Sequence, residues 1–194
     1  MNLIHRRLCR SGWWAKRVRL QLLPWACEGV RLDGDVLEIG PGYGVTTRWL
    51  LERGGRLTAV EVDPELTGRL RSELGEQANI RTADGAALPF ADATFDTVVC
   101  FTMLHHLPSQ ERQDRLFRET ARVLRPGGTF AGSDSRLSPQ LRVLHVADTM
   151  VVVDPTTLRH RLHTSGFVDA WTDLGARSFR FRAIRPLVPV ARLT

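Results

Sequence analysis

Lysine is almost missing from this 194-residue chain: Lys16 is the one lysine among 27 basic residues, and the rest are arginine. The formal charge of +6 and the isoelectric point near 10.4 invite a polyanion partner. An arginine-for-lysine bias, however, reads as GC-rich coding as much as selection for such a partner. The densest basic groups are His5, Arg6, Arg7 and Arg10 with Lys16, Arg17 and Arg19, and then Arg177, Arg180, Arg182 and Arg185. No clustered basic run has interleaved aromatics, so nucleic acid is a disfavoured partner that stays open. Cysteine is scarce too. Cys9, Cys27 and Cys100 show neither metal-ligand spacing nor a paired framework, and Cys100 falls in an apolar strand that reads as core. No apolar run approaches the length of a membrane span. The basic stretch Met1 to Trp14 has no continuous apolar segment after it, so it does not read as a secretory signal, and a cytoplasmic protein is expected. With no repeat or low-complexity tract and 43% apolar residues, one domain with a well-buried core is expected.

What is present concentrates first in Val36-Leu37-Glu38-Ile39-Gly40-Pro41-Gly42-Tyr43-Gly44-Val45-Thr46-Thr47, a buried strand running into a glycine loop and a helix. Gly40, Gly42 and Gly44 let the backbone turn sharply and approach a ligand where a Cβ would collide. The dinucleotide fingerprint G-x-G-x-x-G wants a small residue at the position Val45 occupies, and it has no acid equivalent to Glu38. Glu38 instead suits a ligand carrying positive charge or an ammonium group. A second β-rich run, Leu57-Thr58-Ala59-Val60-Glu61-Val62-Asp63-Pro64, also ends in acid, with Glu61 21 positions after Gly40. One strand-helix-strand unit of that length sets a carboxylate beside the first loop, where a ribose diol would sit. Each hydroxyl-to-carboxylate bond would contribute about 1.5 to 3 kcal/mol before desolvation. Asp63 followed by Pro64 is an N-cap pattern, so Asp63 is assigned to helix initiation and Glu61 to the ligand.

Strand and helix patterns alternate along the chain. Residues 1–30 read as one or two helices with Trp14, Val18 and Leu22 on one face and Pro24 forcing a break. Strands are expected at 35–39, 56–61, 79–83, 95–101 and 129–133, with helices at 44–52 and 64–74 and a crossover reduced to a turn before Phe95. Ser109 caps a helix to Val123, and Pro126-Gly127-Gly128 ends that segment ahead of the fifth strand. Residues 135–153 interrupt the alternation. Asp154-Pro155 restarts a helix that Gly166 stops, and strands at 167–173 and 178–184 close the chain. In the last of these Phe179, Phe181 and Ala183 alternate with Arg180 and Arg182.

These stretches, together with Thr82-Ala83-Asp84-Gly85-Ala86-Ala87-Leu88-Pro89-Phe90, Phe95-Asp96-Thr97-Val98-Val99-Cys100, Leu104-His105-His106-Leu107 and Arg122-Val123-Leu124-Arg125-Pro126-Gly127-Gly128, resemble a class I S-adenosylmethionine-dependent methyltransferase over roughly residues 33–185. The resemblance is to the small single-domain kind that acts mostly on small molecules. It implies an α/β fold, a three-layer Rossmann-like sandwich whose mostly parallel seven-stranded sheet closes with an antiparallel hairpin. It also implies S-adenosylmethionine as cofactor, held by Glu38, Gly40, Pro41, Gly42, Gly44 and Glu61. Asp84 would accept from the adenine amino group, Val62 would pack on the adenine face, and Phe101 and Thr102 would border the methionine moiety. Residues 1–32 are then a helical cap, 33–186 the core with a short lid insertion at 135–153, and 187–194 a tail.

Methyl transfer from a sulfonium is an in-line displacement, so aligning the acceptor and excluding water supply most of the acceleration, about 7 to 11 kcal/mol for alignment. An acid or base is needed only when the acceptor keeps its proton. His106 and then His105 are the catalytic candidates. The two are not expected to face the same way, and one can equally be a helix-start hydrogen bonder. His145 and Asp148 read either as substrate contacts or as surface polar groups, and Tyr43 either contacts cofactor or packs. No Asn/Asp-Pro-Pro-aromatic motif follows the fourth strand, where Cys100-Phe101-Thr102-Met103 stands, and no Pro-Cys nucleophile appears there. The acids near it are Asp96, Glu111 and Asp114, a poor carboxylate set for a metal, so none is expected. The leading expectation is methyl transfer to a small-molecule acceptor. An RNA or protein methyltransferase and a non-catalytic binding protein of the same fold are the alternatives, and the oligomeric state is not legible.

Overall fold

The computed structural model describes residues 2–146 and 148–187. From Val188 onward the expected tail lies outside the described residues. Seven strands form one sheet in the order β3-β2-β1-β4-β5-β7-β6: β1 (Asp35–Ile39), β2 (Arg56–Glu61), β3 (Asn79–Thr82), β4 (Phe95–Phe101), β5 (Leu124–Ser135), β6 (Val168–Leu174) and β7 (Ser178–Ile184). The first five are parallel, and β7 runs antiparallel to both β5 and β6. The α/β class and the closing hairpin are as expected, and the core elements fall within a residue or two of the sequence reading, apart from the start of β5.

Strand alternation builds two cores, one on each face. Leu37, Ile39, Val98 and Cys100 point to the face covered by α6 (Gln110–Val123) and α8 (Pro155–Thr164). Val36, Val99 and Phe101 point to the other, under α4 (Val45–Leu51), α5 (Pro64–Leu74) and the amino-terminal helices. A parallel sheet covered on both faces needs such continuous apolar strands. Cys100 is fully buried, and burial pushes its thiol well above the usual range, so it is an inert core residue. The period of two in β7 holds, with Phe179, Phe181 and Ala183 buried. Each buried phenylalanine contributes about 1.5 to 3 kcal/mol.

The caps form as their sequences require. Asp63 accepts from the Glu65 and Leu66 amides, Asp154 from the Thr156 amide at 2.8 Å, and Ser109 from the Arg112 amide at 3.3 Å. Two expectations fail. The strand expected at 129–133 begins already at Leu124, opposite Phe95, and the Pro126-Gly127-Gly128 triplet lies inside β5 at a register shift instead of ahead of it. The Gly127 amide donates to Arg185 and the Arg185 amide to the Gly128 carbonyl, so β7's end captures the irregularity. Pro24 does not break the amino-terminal helix. After α1 (Leu3–Cys9), α2 (Gly12–Arg17) passes through a π turn at Val18–Leu22 into α3 (Leu23–Ala26). The widened turn, with the Leu23 amide bonded back to Val18, makes room for the proline ring just upstream of it.

The carboxyl-terminal arginines serve the fold. Arg180 donates to the Trp25 carbonyl at 2.5 Å and pairs with Glu28 and Asp173, while Arg182 donates to the Glu28 carbonyl. They tie β7 to the amino-terminal helices. The segment after β5 carries α7 (Pro139–Leu144) and returns to the β4 tip, where the Val151 amide donates to the His105 carbonyl at 2.8 Å.

Candidate active site

The carboxyl ends of β1, β2 and β4 converge on the glycine loop, the edge where open α/β sheets hold ligands. Gly40, Gly42 and Gly44 all take positive φ. At Gly42 (φ +54°) a Cβ would meet nothing within 4 Å, so the requirement there is the left-handed backbone on an open face. Gly44 is packed as well as turned, because a Cβ would come within 2.5 Å of Leu70. Pro41 closes the turn by accepting from the Gly44 amide at 2.9 Å.

Glu61, at the end of β2, braces this loop. One carboxylate oxygen accepts from the Gly42 amide at 3.0 Å and the other from the Asp63 amide at 3.1 Å. Glu38 lies beneath, 1% exposed, accepting from the Thr46 hydroxyl. Its Oε2 is buried with no hydrogen-bond partner among the described residues. Burial pushes its carboxyl up to about 7, against the pull of the Thr46 and Thr47 hydroxyls, with the Glu61 carboxylate adding to the rise. Val62 is 68% exposed, an apolar side chain left bare beside the loop. Asp84 accepts from the Ala86 amide at 2.8 Å and pairs with Arg112, a partner the sequence reading did not anticipate. The Phe101 side chain is buried in the core, so only its backbone can border a ligand. Thr102 follows it at φ +52°, a conformation that β-branched residues avoid, and its amide donates to Ser133 at 2.8 Å.

Beyond β4 the chain turns through one 3-10 turn, Leu104–His106. Successive residues of such a turn are about 120° apart, unlike the alternation of a strand. The rings of His105 and His106 lie side by side, with centroids 4.2 Å apart, His105 turned in on Asp134 and His106 half-exposed. His105 is 2% exposed. Its amide donates to Asp134 Oδ2 at 2.9 Å, and its Nδ1 stands 2.5 Å from Asp134 Oδ1. Burial alone would lower the imidazole, but the Asp134 carboxylate outweighs it and the net shift is upward. His106 is half-buried, and burial with the neighbouring imidazoles lowers it to about 2, so it stays neutral.

Two more histidines join them. His145 is 4% exposed and its ring lies 4.9 Å from His105, so it is not a surface group. His5 is 5% exposed, stacked at 5.1 Å on His106, and therefore is no part of an exposed basic patch. Asp148 receives the Asn2 amide at 2.9 Å and stands 3.6 Å from His5 Nδ1. Asp134 and His5 were not singled out as site residues from sequence. The signal for Asp134 is a lone acid among small residues at a strand's carboxyl end, while for His5 no sequence signal exists.

A doubly wound sheet with an acid ahead of G-x-G-x-G and a second acid at the next strand tip defines a class of nucleoside-cofactor enzymes. Residues 37–132 match the family described as "Methyltransferase domain". A relative named as a probable S-adenosylmethionine-dependent methyltransferase, from Mycolicibacterium smegmatis, is 30% identical over 174 residues, covering 82% of this chain and 61% of its own length. The 27-O-demethylrifamycin SV methyltransferase of Amycolatopsis mediterranei is 30% identical over 116 residues, covering 57% of this chain and 42% of that protein. The crystal structure of the PH0226 protein of Pyrococcus horikoshii superposes with a TM-score of 0.80 at 18% identity, over 95% of this chain and all of that one. The chain belongs to the class I S-adenosylmethionine-dependent methyltransferases. It spans about three fifths or less of the length of these curated relatives.

Proposed function

We propose that the chain binds S-adenosylmethionine in the glycine loop and transfers its methyl group to a small-molecule acceptor held at the β4 tip. The observation that carries the reading is Glu38: a buried carboxylate oxygen without a partner among the described residues, under a loop whose Gly42 faces open space. A cofactor with an ammonium group supplies the missing donor, since leaving a buried acceptor unpaired costs about 1 to 3 kcal/mol. Glu61 takes the ribose hydroxyls, Val62 covers the adenine, and Asp84 takes the adenine amino group in competition with Arg112. The relative named for a demethylrifamycin substrate supports a small acceptor. So does the engagement of the carboxyl-terminal arginines within the fold, which weakens the case for RNA.

His106 is the histidine an acceptor can touch, because His105 is buried behind it against Asp134. Held neutral, His106 can accept a hydrogen bond at any physiological pH and orient a hydroxyl or amine, but it is too weak a base to keep a proton. His105, fixed by Asp134, is a positioning residue. Residues 1–32 and the 135–153 segment serve as the cap that keeps water from the sulfonium.

The test is calorimetry with S-adenosylhomocysteine and with NAD. The product cofactor should bind and NAD should not, and Glu61→Ala should weaken binding by about tenfold or more in a folded protein. Tighter binding of NAD would overturn the reading. Labelled-methyl transfer into small-molecule and RNA pools, at about 50 and 200 mM salt, then settles the acceptor. Label entering RNA alone at the higher salt would replace the small acceptor, because binding driven by counterion release fades across that range.

A further inference from the structure

Four of the chain's six histidines meet at one place, although they come from three separate stretches of sequence. His5 comes from α1, His105 and His106 from the turn after β4, and His145 from the residue that caps α7. Ligand atoms of His5, His106 and His145 all lie within 4.8 Å of one another.

Ordinary packing does not account for the nitrogens. His145 Nδ1 lies 2.8 Å from the Leu141 carbonyl, which can only accept, so Nδ1 carries the proton and Nε2 presents a lone pair. That Nε2 is buried with no hydrogen-bond partner among the described residues, while His5 Nδ1 faces the Asp148 carboxylate at 3.6 Å. A bare imidazole nitrogen in a buried cluster costs about 1 to 3 kcal/mol unless something fills the space beside it. A ligating histidine whose other ring nitrogen donates to a backbone carbonyl is the usual second contact of a metal ligand. Two carboxylates stand close behind: Asp148 Oδ2, 3.6 Å from His5 Nδ1, and Asp134, paired with His105.

We propose that His5, His106 and His145 form a binding site for a divalent transition-metal ion of the zinc class. Imidazole donors select such ions over magnesium or calcium. Three nitrogens at 2.0 to 2.1 Å from a tetrahedral ion are about 3.4 Å apart, so the trio closes by roughly an ångström on binding. Three protein ligands leave a fourth position, and with the His106 lone pair given to the ion an acceptor in the metal-loaded protein would meet that position and not the imidazole. The ion also ties the amino-terminal helix and the α7 segment to the β4 tip. An expectation built on carboxylates alone passes over this site: Asp96 is engaged with Arg125, and Asp114 with Arg161.

The test uses the full chain without a histidine tag, stripped with a chelator and titrated with Zn2+ and with Mg2+, and then loaded with Co2+. One equivalent of Zn2+ should bind, Mg2+ should not, and Co2+ should give the intense visible bands of a low-coordinate nitrogen site. His5→Gln and His145→Gln should each weaken Zn2+ binding by about tenfold or more. His160→Gln, at an exposed position outside the cluster, should bind as the parent does. S-adenosylhomocysteine binding checks that each variant is folded, and where a variant fails that check the parent's Co2+ spectrum decides. No Zn2+ uptake by the parent, a weak octahedral Co2+ spectrum, or unchanged uptake in folded His145→Gln would overturn the site. Cofactor binding without zinc uptake sinks the metal site alone, while zinc uptake without cofactor binding sinks the methyltransferase reading alone.

Discussion

The two ends of the parallel strands treat their polar groups in opposite ways. At the amino end, Asp35 is paired with Arg56 at 2.7 Å and with Arg125 at 3.0 Å, and Arg125 also reaches Asp96 at 2.8 Å. Asp96 in turn accepts from the Asp35 amide at 2.8 Å, and both carboxylates are held below their usual range by these bonds. At the carboxyl end, Glu38 Oε2 and His145 Nε2 are buried without partners among the described residues, and Thr102 holds a left-handed backbone. Groups that satisfy one another stabilise a fold. Groups left wanting a partner cost stability, and they persist where a ligand completes them.

The largest effect expected at the carboxyl end is at Asp134. Asp134→Ala removes the acceptor of the His105 amide, the His105 ring and the Ser135 amide at once. It should cost about 3 to 5 kcal/mol in urea unfolding, as breaking a buried pair does. A loss below about 1 kcal/mol would mean that the pair is not buried as described.

Glu38 gives the next effect, through pH. Its folded carboxyl, raised to about 7, binds a proton more tightly than in the unfolded chain, where the value is 4.5. Stability therefore falls as pH rises through that window, by an amount on the order of 3 kcal/mol. Glu38→Gln should flatten this part of the profile, and saturating S-adenosylhomocysteine should oppose the fall in the parent. Parallel profiles for parent and variant would show that Glu38 is ionised throughout.

Arg125→Ala, at the amino end, should do least. Its pairs are partly exposed, so the change should stay within about 1 kcal/mol and leave cofactor affinity untouched. A loss of cofactor affinity there would erase the distinction between the two edges.

The glycine loop, the two strand-tip acids and the proline-marked helix starts were legible because each is local: a turn, a cap or one strand-helix-strand unit. The histidine cluster was not. Nothing in the sequence signalled that the His105 and His106 rings, 4.2 Å apart in a 3-10 turn, would meet two more imidazoles. His5 read as one of a basic group because its neighbours in sequence are arginines, although its neighbours in space are three histidines.

The sequence by itself determined where most strands and helices of the core lie and the position of the glycine loop. Hydrophobic period and turn chemistry act over a few residues and leave little choice. Tertiary structure alone decided that residues 5, 106 and 145 share one buried space and that Arg180 and Arg182 clasp the amino-terminal helices. Contacts across a hundred or more residues depend on how finished elements pack, and no local pattern records them.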